Sequence, residues 1–78
     1  MNELIEQNKI DLENLNAKLA MQKSDAERLS VYIEDAIQSE DYEEASDLAK
    51  LLKETCDRIA KLNTMIAVRK EVYYVLHD

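Results

Sequence analysis

Gln38-Ser39-Glu40-Asp41-Tyr42-Glu43-Glu44 is the stretch of this chain in which a helical pattern stops and then starts again. Asp41 is suited to accept from the amides of the following turn, with Glu44 three residues on and able to reach back, as in a capping box. Glu43 and Glu44 also stand in a first helical turn, where the helix dipole favours negative charge. These residues predict a turn at about residues 38 to 41, and two long helices on either side of it.

Upstream of the turn, Ile5, Asn8, Leu12, Leu15, Leu19, Gln22, Ala26, Leu29, Ile33 and Ala36 follow one another at alternating spacings of three and four. That is a heptad seam. Asn8 and Gln22 are its polar members, and a buried amide in such a seam lowers stability while fixing register or partner number. Downstream, Tyr42, Ala45, Ala49, Leu52, Cys56, Ile59, Asn63, Ile66 and Tyr73 repeat at helical spacing, with a second stripe beside them: Leu48, Leu51, Leu62, Met65, Val72 and Leu76. Two adjacent stripes make an apolar face wider than one partner helix covers.

Folding at the turn pairs Ala36 with Ala45, Ile33 with Leu48, Leu29 with Leu52, Leu19 with Leu62, Leu15 with Ile66 and Ile5 with Leu76, so apolar meets apolar almost throughout. The expected fold is therefore all-α: an antiparallel two-helix coiled-coil hairpin, helices about 3–38 and 42–76, in a single domain spanning 1–78. Each arm of about 35 residues would be about 50 Å long. The wide second face predicts a homodimer, two hairpins making a four-helix bundle, with Leu48, Leu51, Leu62, Met65, Val72 and Leu76 as the association stripe. Ser24-Asp25-Ala26-Glu27 also fits a capping box, so a three-helix bundle of 3–22, 25–38 and 42–76 is the alternative.

Composition supports helix and little else. Gly and Pro are both absent from the 78 residues, and with them the usual means of making tight turns, bulges and phosphate-cradling loops. A chain this short buries only about 60% of the surface it exposes when unfolded, which makes help from self-association plausible. It contains no apolar run of about 18 residues, and Met1-Asn2-Glu3 opens no basic and then apolar leader, so a cytoplasmic protein off the membrane is expected.

Chemistry is sparsely provided for. The single Cys56 shares a helix face with Leu52 and Ile59 and is expected to be a small buried filler. His77 is expected to be solvated near a helix C-terminus. No paired-cysteine spacing, Glu-x-x-His or glycine-bearing calcium loop is present, so no metal or cofactor is expected, and no enzyme.

Charge is more telling. The net charge is −7, the wrong sign for a large phosphate contact, so no direct nucleic-acid binding is expected. Glu34, Asp35, Glu40, Asp41, Glu43, Glu44 and Asp47 supply seven acids with no base among them, while the other ten acids are matched by ten bases. The tip of the hairpin thus holds the whole net charge. Helix capping accounts for part of this; a surface for a basic protein, formed by Glu40, Asp41, Tyr42, Glu43, Glu44 and Asp47, accounts for the rest. Lys50, Lys53, Arg58, Lys61, Arg69 and Lys70 on the second arm are expected to face solvent and pair with acids of the first.

The segment Ile33-Glu34-Asp35-Ala36-Ile37-Gln38-Ser39-Glu40-Asp41-Tyr42-Glu43-Glu44-Ala45-Ser46-Asp47-Leu48 resembles the UVR motif. This helical hairpin is found in the B and C subunits of the bacterial excision-repair nuclease, in ClpC-type unfoldases and in McsA-type adaptors. Ala36, Asp41, Tyr42, Glu43, Ala45, Ser46 and Leu48 stand at the motif's places, and the likeness extends over residues 33–52; Ala49 and Lys50 replace its usual Arg-Asp. The resemblance implies a hairpin used in association with another hairpin. Together these features predict a protein–protein interaction module: an adaptor, assembly factor or inhibitor. An acidic mimic of nucleic acid that blocks a DNA- or RNA-binding protein, or a scaffolding coiled coil, are the alternatives.

Overall fold

Two helices account for nearly all of the chain. The computed structural model describes residues 2–77, with side chains placed for 3–76; the expected solvation of the His77 side chain falls outside that set. Helix α1 runs Asn2–Gln38 and helix α2 runs Tyr42–His77, packed antiparallel along their length. The result is a rod of 58 × 14 × 13 Å. Continuity of α1 through Ser24 excludes the three-helix arrangement. Within the unbroken helix Asp25 takes the Arg28 guanidinium at 2.6 Å on the next turn, and the Ser30 hydroxyl donates to the Ala26 carbonyl.

The turn is made without glycine. Glu40 adopts a left-handed φ of 59°. Its amide donates to the Ile37 carbonyl at 3.0 Å and the Asp41 amide donates to the Ala36 carbonyl at 2.9 Å. Those are the two bonds of a Schellman motif, which satisfies carbonyls that the end of α1 would leave orphaned. Asp41 then starts α2, its Oδ1 accepting from the Glu44 amide at 3.2 Å and its carbonyl from the Ala45 amide at 3.0 Å. The expected cap is therefore made, but only its forward half. Glu44 has no amide to reach back for, because that of Asp41 is already spent on Ala36.

A side chain in the left-handed region costs about 1–2 kcal/mol that glycine avoids. Glu40→Gly is accordingly expected to stabilise the hairpin by about 1 kcal/mol, read as a raised denaturation midpoint by circular dichroism. Glu40→Val, branched at Cβ, should lower it.

The predicted register holds. Ile5, Leu12, Leu19, Gln22, Ala26, Leu29 and Ile33 are half-buried and Asn8, Leu15 and Ala36 are buried, so every member of the α1 series lies in the seam. Across from them, Ala45, Thr55 and Ile66 are buried and Leu48, Leu52, Ile59, Leu62 and Leu76 half-buried. Of the small residues near the turn, Ala36 and Ala45 are buried between the helices and Ala49 is exposed.

Of the predicted α2 series, Ala45, Leu52, Ile59 and Ile66 lie in the seam, but the alternate line through Ala49, Cys56 and Asn63 gives way to the one through Leu48, Thr55 and Leu62. Ala49, Cys56, Asn63 and Tyr73 are exposed, as is Tyr42 at its start. Cys56 is thus no buried filler; its neighbour Thr55, only 2% exposed, occupies the inner position. The run Ala45, Leu48, Leu52, Thr55, Ile59, Leu62, Ile66 keeps the alternating three-and-four spacing without a gap. Preserving it meant admitting a threonine, whose hydroxyl donates to the Leu51 carbonyl at 3.0 Å and so carries no unmet donor into the interior.

Candidate interaction surfaces

A two-helix rod has one contact line and two flanks. In heptad terms the flank on one side is formed by Leu4, Asp11, Lys18, Asp25 and Tyr32 of α1 with Glu44, Leu51, Arg58, Met65 and Val72 of α2. The other holds mainly polar or small residues, among them Lys9, Asn16, Lys23, Ser30, Ala49, Asn63 and Lys70, all exposed. The rod is therefore two-sided.

On the first flank the apolar character gathers at the open end, away from the turn. Met65, Val68, Val72 and Val75 follow at spacings of three, four and three, which places them on one face of α2. They are exposed by 52, 53, 36 and 74%, and Leu4 on α1 by 59%. Shallow grooves run along this flank. One of about 440 Å³ lies between Asp11, Leu15 and Lys18 on α1 and Met65, Arg69 and Val72 on α2. Another of about 190 Å³ continues it past Leu4 and Asn8 to Leu76.

Polar contacts hold the two arms in register beside this flank. The Asn8 Nδ2 donates to the Arg69 carbonyl at 3.1 Å, and the Arg69 guanidinium approaches Asp11 Oδ2 at 3.5 Å. Asn8 is 3% exposed and its Oδ1 is buried with no hydrogen-bond partner. Midway along the rod, Arg58 donates through Nε to Gln22 Oε1 at 3.1 Å and through Nη2 to Thr55 Oγ1 at 3.2 Å. Of the two seam amides, then, Asn8 is buried and incompletely satisfied, while Gln22 is half-buried and paired. Asp11 with Arg69 is the cross-arm ion pair among the described residues, so the expected wider pairing of second-arm bases with first-arm acids is realised at one place.

The predicted association stripe divides in two. Leu51, Met65 and Val72 lie exposed on the flank, whereas Leu48, Leu62 and Leu76 are half-buried and belong to the seam. Leu4, Val68 and Val75 extend the exposed part and were not anticipated. The signal for Val68 and Val75 was present in their spacing from Met65 and Val72, and became decisive only once the seam's phase was known.

At the tip, Glu34, Asp35, Glu40, Asp41, Glu43, Glu44 and Asp47 are all exposed, and so is Tyr42 at 64%. A groove of about 520 Å³ there is bounded by Tyr32, Asp35, Ala36, Ser39, Asp41, Glu44 and Leu48. Tyr73 and Tyr74 stack edge to face at the far end, with ring centroids 5.9 Å apart. Among the described residues no cluster of His, Cys, Asp and Glu is arranged to hold a metal, and no helix is long and apolar enough to cross a membrane.

Such a molecule is an all-α helical hairpin with an apolar flank at one end and a carboxylate-rich turn at the other. No protein-family model matches the chain, and comparison with curated proteins and with solved structures gave no significant match.

Proposed function

We propose that this chain is a non-enzymatic protein–protein interaction module of the adaptor, assembly-factor or inhibitor kind, working through two separated surfaces. The observation that carries the proposal is the uncovered run Met65, Val68, Val72 and Val75, exposed beside the half-buried seam. Apolar area left open in a row at helical spacing marks a surface that another helix or groove can cover. The exposed tip, with seven carboxylates and no base, supplies the second surface and suits a basic protein. The likeness of residues 33–52 to the UVR motif, a hairpin used in association, supports the same reading.

The test is affinity capture from cytoplasmic extract with three baits: the intact chain, a tip variant (Glu40→Gln, Asp41→Asn, Glu43→Gln, Glu44→Gln) and a flank variant (Met65→Glu, Val68→Glu). Asparagine caps a helix as well as aspartate does, so the tip variant keeps its fold. Each variant is expected to lose a protein that the intact chain retains. Identical captures by all three would overturn the proposal.

The uniform sign of the tip also favours a second reading, an acidic mimic that occupies the nucleic-acid groove of a DNA- or RNA-binding protein. In that case the captured protein is released by about 0.5 M salt, where screening shortens the Debye length to about 4–5 Å, and by competing DNA or RNA. Binding through the flank should resist both.

A further inference from the structure

We infer that the occupant of the apolar flank is a second copy of this chain, seated antiparallel and offset, so that the two open ends overlap and the two acidic tips point away from each other. The inference rests on the proposal that the flank is an association surface and specifies what associates there.

Area is the first argument. The chain exposes 6047 Å², whereas a compact monomer of 9.0 kDa is expected to expose about 4,900 Å². The surplus of roughly 1,200 Å², spread along an elongated rod, is of the order of the roughly 800 Å² that each partner contributes to a standard interface. Leu4, Met65, Val68, Val72 and Val75 place five exposed apolar side chains on one side of one end. A two-fold axis through a self-complementary patch is the simplest way for identical chains to cover such a surface. The groove between Asp11 and Lys18 on one side and Met65 and Val72 on the other would receive the valines of the second copy.

Charge decides the orientation. In a parallel pair the seven unpaired carboxylates of one tip lie beside the seven of the other, within a Debye length of about 8–10 Å. In a fully overlapped antiparallel pair, Glu44 and Asp47 of each copy are pressed against the valines of the other, which would strip water from charges with no partner there. An axis near Val68 and Val72 avoids both. About eight residues remain beyond it on α2, so the overlap is about 24 Å at about 1.5 Å rise per residue. Two rods of 58 Å then give a particle about 90 Å long with a tip at each end.

The experiment combines sedimentation equilibrium of the intact chain with disulfide trapping on a Cys56→Ser background. The intact chain is expected to dimerise, and Val68→Glu to weaken that association at least tenfold while circular dichroism shows the helices retained. Val72→Cys, close to the axis, should oxidise to a covalent dimer, and Glu43→Cys at the tip should form no covalent dimer under the same oxidant. A strict monomer overturns the inference, as does a dimer indifferent to Val68→Glu or one trapped through Glu43→Cys. If the intact chain is monomeric but the flank variant still loses a captured protein, the proposed function stands and the self-association alone fails.

Discussion

Replacing Ile66 with alanine is expected to lower the unfolding free energy of the hairpin by about 3 kcal/mol, the largest loss from any single truncation proposed for this chain. Among the described apolar residues Leu15, Ala36, Ala45 and Ile66 are buried, and none is fully enclosed. Truncating a buried isoleucine costs about 2–5 kcal/mol. The middle of that range fits a side chain 6% exposed at a seam whose edges can partly close over the gap. Against a total of about 4–12 kcal/mol for 78 residues, a loss of 3 kcal/mol removes a quarter or more of the stability. The check is urea denaturation followed by circular dichroism at two protein concentrations, so that any contribution from association is separated. Ile10→Ala, at a position 45% exposed, serves as the control and should stay within about 0.5 kcal/mol. Equal effects at the two sites would mean that the arms do not pack through Ile66.

Helix, turn and register were legible in the residues because each rests on short-range rules. Alternating spacings from Ile5 to Ala36 specify the face of α1, and Asp41 with Glu43 and Glu44 specifies where α2 starts. Pairing across the turn then follows from arithmetic on chain positions. The phase of α2 was harder, since Ala49, Cys56 and Asn63 trace a helical line as regular as the one through Leu48, Thr55 and Leu62. Contact with α1 chooses between them, and a leucine on that line outweighs the alanine, cysteine or asparagine that competes with it, so Thr55 is carried inside.

The same choice shapes the candidate surface. Once Leu48, Leu62 and Leu76 are drawn into the seam, Leu51, Met65 and Val72 remain on the flank, and Val68 and Val75 join them one step further round. Which members of the second stripe form the flank, and that they gather toward the open end, became separable from the seam only once the helix phase was known. The acidic tip was legible throughout, because it depends on composition along the chain and not on which way a helix faces. Its carboxylates occupy both sides of a turn that Glu40 makes in a left-handed conformation, so a charged residue stands even where glycine would be the more stable one.

Asn8→Leu is expected to raise stability by about 2 kcal/mol, and it is the clearest test of what the seam's polar members do. The Asn8 Oδ1 is buried without a partner, a state that costs about 1–3 kcal/mol. Its Nδ2 bond to the Arg69 carbonyl, at 3.1 Å, offsets only part of this. Leucine removes the orphaned oxygen and places apolar volume between the arms next to Leu12 and Leu15 of the same seam. What the amide contributes is register: it bonds one particular carbonyl on α2, beside the Asp11–Arg69 contact. A leucine at the same place packs equally well one turn away. The substitution should therefore increase the denaturation midpoint while broadening the distance distribution between spin labels placed on Lys9 and Lys70, both exposed. A drop in stability comparable to that of Ile66→Ala would show instead that the amide is fully satisfied and holds the open end together.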